Sequence, residues 1–85
     1  MSMRILYFAW VRQRVGHGEE NAVVPDNVAT VGNLIDWLKS RDAGYAAAFA
    51  DLRAIRVAVD QEHVGFDHPL RGAHEVAFFP PVTGG

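Results

Sequence analysis

The chain has no cysteine. Disulfides, thiol nucleophiles and thiolate metal sites are therefore excluded. Positive charge is scarce too, with seven arginines and one lysine, scattered along the chain, and a net charge of −2. That leaves no basic field for a nucleic acid partner. No apolar run reaches the roughly 18 residues that a membrane span needs. The opening Met1-Ser2-Met3-Arg4 runs straight into a strand pattern, without the charged, apolar and cleavage regions of a leader. The expected location is the cytoplasm, with no membrane partner. Gly16-His17-Gly18 lacks the rest of either phosphate-loop fingerprint.

Size sets a further limit. Eighty-five residues make one small domain, which buries only about 60–65% of the surface its unfolded chain exposes. A deep substrate pocket would remove much of that core, which argues against a self-contained enzyme.

The side chains that remain show little catalytic grouping. His17, His63, His68 and His74 share no metal-ligand spacing, and read as partly exposed polar residues. Thr30 and Ser40 have no evident base beside them. Asp26, Asp36, Asp51 and Glu75 suggest no carboxylate pair, and Glu19-Glu20 reads as a solvated strand end.

What is present is periodicity. Met3–Trp10 reads as a buried strand, with Met3, Ile5 and Tyr7 to one side and Arg4, Leu6 and Phe8 to the other. Val11–Val15 suits a short helical turn stopped by Gly16 and Gly18. Glu19–Val24 is a second strand, closed by Pro25 and hairpinned to the first. Over Thr30–Arg41, Val31, Leu34, Ile35 and Leu38 follow the i, i+3, i+4, i+7 spacing of one buried stripe, with Thr30 as N-cap. Tyr45–Phe49 predicts a shorter helix. Ile55–Asp60 alternates, with Ile55, Val57 and Val59 inward. Asp67–Leu70 and Arg71-Gly72 are turns. His74–Phe79 is the last strand, stopped by Pro80-Pro81, which cannot donate to a ladder.

The order strand, strand, helix, strand, strand predicts an α+β fold of β-grasp (ubiquitin-like) type. One main helix packs on one face of a mixed sheet, and the first and last strands lie parallel at its centre. A split ferredoxin-like fold needs a second long helix. Residues 1–79 form the domain, and residues 80–85 a flexible C-terminal tail.

That tail carries the functional signal. Six residues reach at most about 20 Å, and two prolines hold the base in extended geometry. Gly84 and Gly85 can thread a channel too narrow for a β-carbon. A terminal carboxylate is ionised at neutral pH, its ordinary pKa being about 3.3–3.7. It becomes an acyl donor only once an oxygen is made a leaving group, as adenylation by ATP does. Phe8 and Phe79 fall on the uncovered face of adjacent central strands, where large apolar side chains suit a partner.

Glu75-Val76-Ala77-Phe78-Phe79-Pro80-Pro81-Val82-Thr83-Gly84-Gly85 resembles the C-terminus of the small, sulfur-carrying subunit of molybdopterin synthase. Ile5-Leu6-Tyr7-Phe8-Ala9-Trp10-Val11-Arg12, Gly16 and Phe66-Asp67-His68-Pro69-Leu70 resemble that family at matching positions. The resemblance spans essentially the whole chain. It implies that Gly85 is adenylated by an E1-like adenylyltransferase using ATP and converted to a thiocarboxylate by a sulfur donor enzyme. The tail, with Gly84 as channel neighbour, then enters the synthase large subunit and gives its sulfur to cyclic pyranopterin monophosphate. The resemblance further implies a heterotetrameric complex and no cofactor bound by the chain itself. Phe8, Phe79, Pro80, Pro81, Val82 and Thr83 would face the partner, and His63 stands where the family often has an apolar residue. A carrier for thiamine or transfer RNA thiolation, a ubiquitin-like modifier and a non-catalytic binding module are the other readings.

Overall fold

A computed structural model of the chain describes residues 1–81. Its elements are β1 (Ser2–Tyr7), α1 (Ala9–Val15), β2 (Glu19–Val23), α2 (Val31–Lys39), α3 (Ala43–Ala48), a 3-10 turn (Leu52–Ala54), β3 (Arg56–Val59), β4 (Glu62–Val64) and β5 (Glu75–Phe79). The strands form one sheet in the order β2-β1-β5-β3-β4. β1 and β5 are parallel, in register from Arg4↔Glu75 to Tyr7↔Phe78, and the other pairs are antiparallel. This is the β-grasp arrangement, with the parallel pair at the centre.

Alternation builds the core. Met3, Ile5 and Tyr7 from β1, Val57 and Val59 from β3, and Val76 and Phe78 from β5 are buried with Val31, Leu34, Ile35 and Leu38 of α2. The α2 stripe repeats at helical spacing and so lies flat on one sheet face. Thr30 Oγ1 accepts from Asn33 N at 3.2 Å and Asn33 Oδ1 accepts from Thr30 N at 3.3 Å. This capping box has Asn in the usual Glu or Gln position. Asp42 caps α3 without a reciprocal bond, its Oδ1 accepting from Gly44 N and Tyr45 N.

Two sequence expectations need correction. The strand read as Met3–Trp10 ends at Tyr7, and Ala9 and Trp10 already belong to α1. A short apolar run does not by itself separate strand from helix. Val11 and Val15, four apart and both buried, set the helical period here. Ala9 takes φ 55° to make the switch, and Gly16 closes α1 at φ 101°, where a β-carbon is disfavoured. The second correction is a fifth strand. β3 and β4 are joined by Asp60 (φ 49°) and Gln61 (φ 71°), a two-residue turn with both residues left-handed. Asn-Gly or Asp-Gly is the usual signal for such a turn, and Asp-Gln does not carry it.

Candidate functional site: the open sheet face and the tail base

Among the described residues no helix packs against the second face of the sheet. Its residues are the alternates of the core positions: Arg4 and Leu6 of β1, Ala77 and Phe79 of β5, Arg56 and Ala58 of β3, and His63 of β4. Cross-strand register groups them, since Leu6 pairs with Ala77, Ala77 with Ala58, Ala58 with His63, and Phe79 with Arg56. Ala58 and Ala77 are small enough to be buried among these neighbours although no helix covers them. They form the floor of the face.

Phe8 lies one residue past β1, still extended (φ −123°, ψ 153°), and its N–H donates to Phe78 O at 3.1 Å. Its ring is 49% exposed, on the side opposite fully buried Phe78. With Arg4, Leu6, Arg12 and Glu19 it lines an open depression of about 510 Å³. Phe79 is half-buried. The His63 ring stands beside it, 5.2 Å between centroids, so a polar heterocycle borders the Phe79 ring. The expected parity holds: Phe78 faces the core and Phe79 the open side. β5 ends at Phe79 and passes directly into Pro80 and Pro81 at the margin of this face. The sequence reading thus placed Phe8, Phe79, Pro80 and Pro81 in one neighbourhood, while Val82, Thr83, Gly84 and Gly85 lie outside the described residues. It also turned Leu6, Arg56 and Ala58 to the outward side, but did not single out Ala77 or join Arg56 and Ala58 to Phe8 and Phe79 as one face. The period-2 pattern carried their signal, but two alanines do not read as a surface.

Behind the face sits a polar hub that the sequence reading took for a solvated strand end. The Glu20 side chain is only 14% exposed. Its carboxylate accepts from Tyr7 Oη at 2.8 Å, from Arg41 Nη1 at 2.7 Å, and from Tyr45 Oη. His17 Nε2 lies 3.0 Å from it. Burial alone would push the Glu20 carboxyl up, but bonds from Tyr45, His17, Arg41 and Tyr7 overcome that and hold it at about 2. Burial and the same carboxylate push the Tyr45 hydroxyl up to about 12 and raise Tyr7 as well. The hub ties β1, β2, α3 and the end of α2 together. It presents no nucleophile with a base, because the hydroxyls are held protonated and the carboxylate is fully engaged. Arg41 sits 4.9 Å over the Trp37 ring and 5.0 Å over Tyr45, which fixes its fork.

Among the described residues no group of three or more His, Asp or Glu stands close enough to hold a metal ion. Nor is any helix there long and apolar enough to cross a membrane.

Residues 5–85 match the ThiS family. The chain belongs to this family. Relatives similar to it include the molybdopterin synthase sulfur carrier subunit of Escherichia coli (strain K12), 41% identical over 83 residues, covering 98% of this chain and 99% of the relative. The subunit of the same name from Mycosarcoma maydis is 35% identical over 88 residues, covering 99% and 94%. Among solved structures, SAMP1 from Haloferax volcanii superposes with a TM-score of 0.77 at 28% identity, covering all of both chains.

Proposed function

We propose that this ThiS-family chain is the sulfur carrier subunit of molybdopterin synthase, acting in molybdenum cofactor biosynthesis and carrying out no catalysis on its own. The observation that carries the reading is the full-length 41% identity to a subunit of that name. The domain of residues 1–79 serves as a handle, and residues 80–85 as the working arm. β5 supports this division: it gives Phe78 to the core and Phe79 to the open face, then hands the chain to Pro80 and Pro81.

On this reading Gly85 bears the chemistry. Its carboxylate oxygen attacks the α-phosphorus of ATP on an E1-like adenylyltransferase, and pyrophosphate leaves. Sulfide-level sulfur released by a donor enzyme then attacks the acyl carbon and AMP leaves, so the C–O bond is exchanged for C–S and the product is the thiocarboxylate. The thiocarboxylate enters the large subunit, where its sulfur attacks cyclic pyranopterin monophosphate; water then cleaves the acyl C–S bond, which leaves the sulfur on the pterin and returns Gly85 to a carboxylate. Gly84, Val82 and Thr83 line the inserted arm, and Phe8, Phe79, Pro80 and Pro81 dock its base. The chain holds no cofactor of its own, and the cytoplasm, where ATP is available, is its site.

Deletion of Gly85 tests this. With ATP, activating enzyme and sulfur source, intact-mass measurement of the wild type should show one oxygen replaced by sulfur. The deletion variant should show no exchange and no molybdopterin formation, with an unchanged melting curve. If sulfur transfer survived the deletion, the assignment of the chemistry to Gly85 would fail; if the wild type took up no sulfur and the deletion variant kept its function, a binding module that uses only the sheet face would take its place.

A further inference from the structure

Sheet order places two arginines on either side of the aromatic anchors. From β2 toward β3, the end of the sheet from which the tail departs presents Arg12 beside Gly18, then Phe8, Phe79 and Arg56. Arg12 is one helical turn beyond Phe8, its N–H directed at Phe8 O at 3.4 Å. Its guanidinium lies across Gly18 so closely that a β-carbon there would sit 3.1 Å from Cζ and Nε. Arg56 pairs in register with Phe79. Its Nη1 donates to the carbonyls of Arg53 and Ile55 at 3.3 and 3.1 Å, which anchors the fork by one edge. Both side chains are thus placed before any partner arrives, and both residues are exposed.

Neither has a carboxylate within salt-bridge distance among the described residues. Their neighbours are spoken for: Glu19 pairs with Arg4 and Asp51 with Arg53. The chain as a whole carries a net charge of −2, so a local cationic pair around two aromatic rings runs against the overall charge. Charges arranged this way steer an encounter and fix its orientation more than they add affinity.

We infer that Arg12 and Arg56 are the electrostatic half of the docking face. The large subunit then presents carboxylates on both sides of the apolar pocket that receives Phe8 and Phe79. The planar fork of arginine suits a carboxylate in two-point contact. This inference rests on the sulfur-carrier reading and adds the chemistry of the partner's surface to it.

Association of the full chain with its purified large subunit, followed by stopped flow, provides the test. It is run at ~0.01 M salt, where the Debye length is about 30 Å, and at ~1 M, where it is about 3 Å. The double variant Arg12→Glu/Arg56→Glu should associate roughly tenfold or more slowly than wild type at low salt. Its dissociation rate should change little, and the difference should vanish at high salt. The milder Arg12→Gln/Arg56→Gln pair should fall between, and melting curves check that both variants are folded. Association of both within about twofold of wild type at low salt, or slowing that salt does not relieve, overturns the inference. Phe79→Ala separates the two levels. If it weakens binding while the arginine variants do not, only this inference fails. If Phe79→Ala and the arginine variants all bind as wild type, the docking face itself is wrong.

Discussion

The two faces of this sheet are made from alternate residues of the same strands, yet they do opposite work. One is sealed by α2 and holds Ile5, Tyr7, Val57, Val76 and Phe78, all at or below 2% exposure. The other has an alanine floor, two partly exposed phenylalanines and a border of arginine and histidine. Adjacent residues of one strand, Phe78 and Phe79, point to opposite faces: Phe78 is buried in the core and Phe79 is half-buried on the open side, where the proposed function puts docking. In so small a domain little core can be given up for a pocket, and the function proposed above rests instead on the face that the fold leaves uncovered and on the C-terminal residues.

The strongest way to break this comparison is to exchange the roles of the two phenylalanines. Phe78 stacks on Tyr7 and meets the Phe49 ring edge-on at 4.9 Å. Phe78→Ala should cost about 3–5 kcal/mol of folding stability, enough to unfold a domain whose total is about 5–15 kcal/mol. Phe79→Ala should melt close to wild type but bind the large subunit roughly 30-fold more weakly, as an interface anchor worth about 2 kcal/mol would. Thermal melts beside titrations decide it. A low melting point for Phe79→Ala with a normal one for Phe78→Ala would mean that the faces are reversed.

The hub sharpens the comparison from the closed side. Glu20→Ala leaves Tyr7 and Tyr45 hydroxyls and the Arg41 fork without their acceptor, and should cost about 1–3 kcal/mol, with little effect on docking. The sign of its pH dependence follows from the depressed carboxyl. The folded-state value of about 2 lies below the ordinary 4.5, so the stabilisation is fully present above about 4.5. It is lost as pH falls toward 2. Wild type should therefore lose stability across that window, and Glu20→Gln should lose less. Equal acid sensitivity in both would assign the loss to other carboxylates.

Much of this was legible because burial imposes periodicity. The α2 stripe, the alternation of β1, β3 and β5 and the proline stop after Phe79 each follow from one local rule, and the parallel central pair follows from their order. The open face was half legible. Phe8 and Phe79 stand out as large apolar residues at polar-side positions, but the roles of Ala58 and Arg56 appear only once register sets them beside Ala77 and Phe79. The Glu20 hub was hidden for a different reason. Its members, Tyr7, His17, Glu20, Arg41 and Tyr45, come from five separate places, and a glutamate on an edge strand looks the same whether tyrosines cover it or water does.

The smallest expected effect concerns the turn that decides which face His63 joins. Asp60 and Gln61 both take positive φ, and Asp60 Oδ1 accepts from His74 N at 2.9 Å and Glu75 N at 3.0 Å. Those bonds favour the charged carboxylate and draw the Asp60 pKa below its ordinary value; Asp60 therefore ties the turn to the start of β5. Gln61 has no such task, yet as a residue with a β-carbon it bears a left-handed cost of about 1–2 kcal/mol. Gln61→Gly removes that cost but returns about 0.5–1 kcal/mol of chain entropy to the unfolded state. The net gain should be about 0–1.5 kcal/mol, a rise in melting temperature of at most several degrees for a domain of this size. Gln61→Val should move the melt the other way, because a branched β-carbon fits φ 71° worse than glutamine does. Neither change alters the two-residue loop length, so Ala58 stays opposite His63 and docking should be unaffected in both. A one-residue insertion after Gln61 is the informative contrast. It would shift the β4 register and turn His63 off the open face, so a change in affinity there, with none for Gln61→Gly or Gln61→Val, would show that the turn sets the composition of the docking face rather than only its stability.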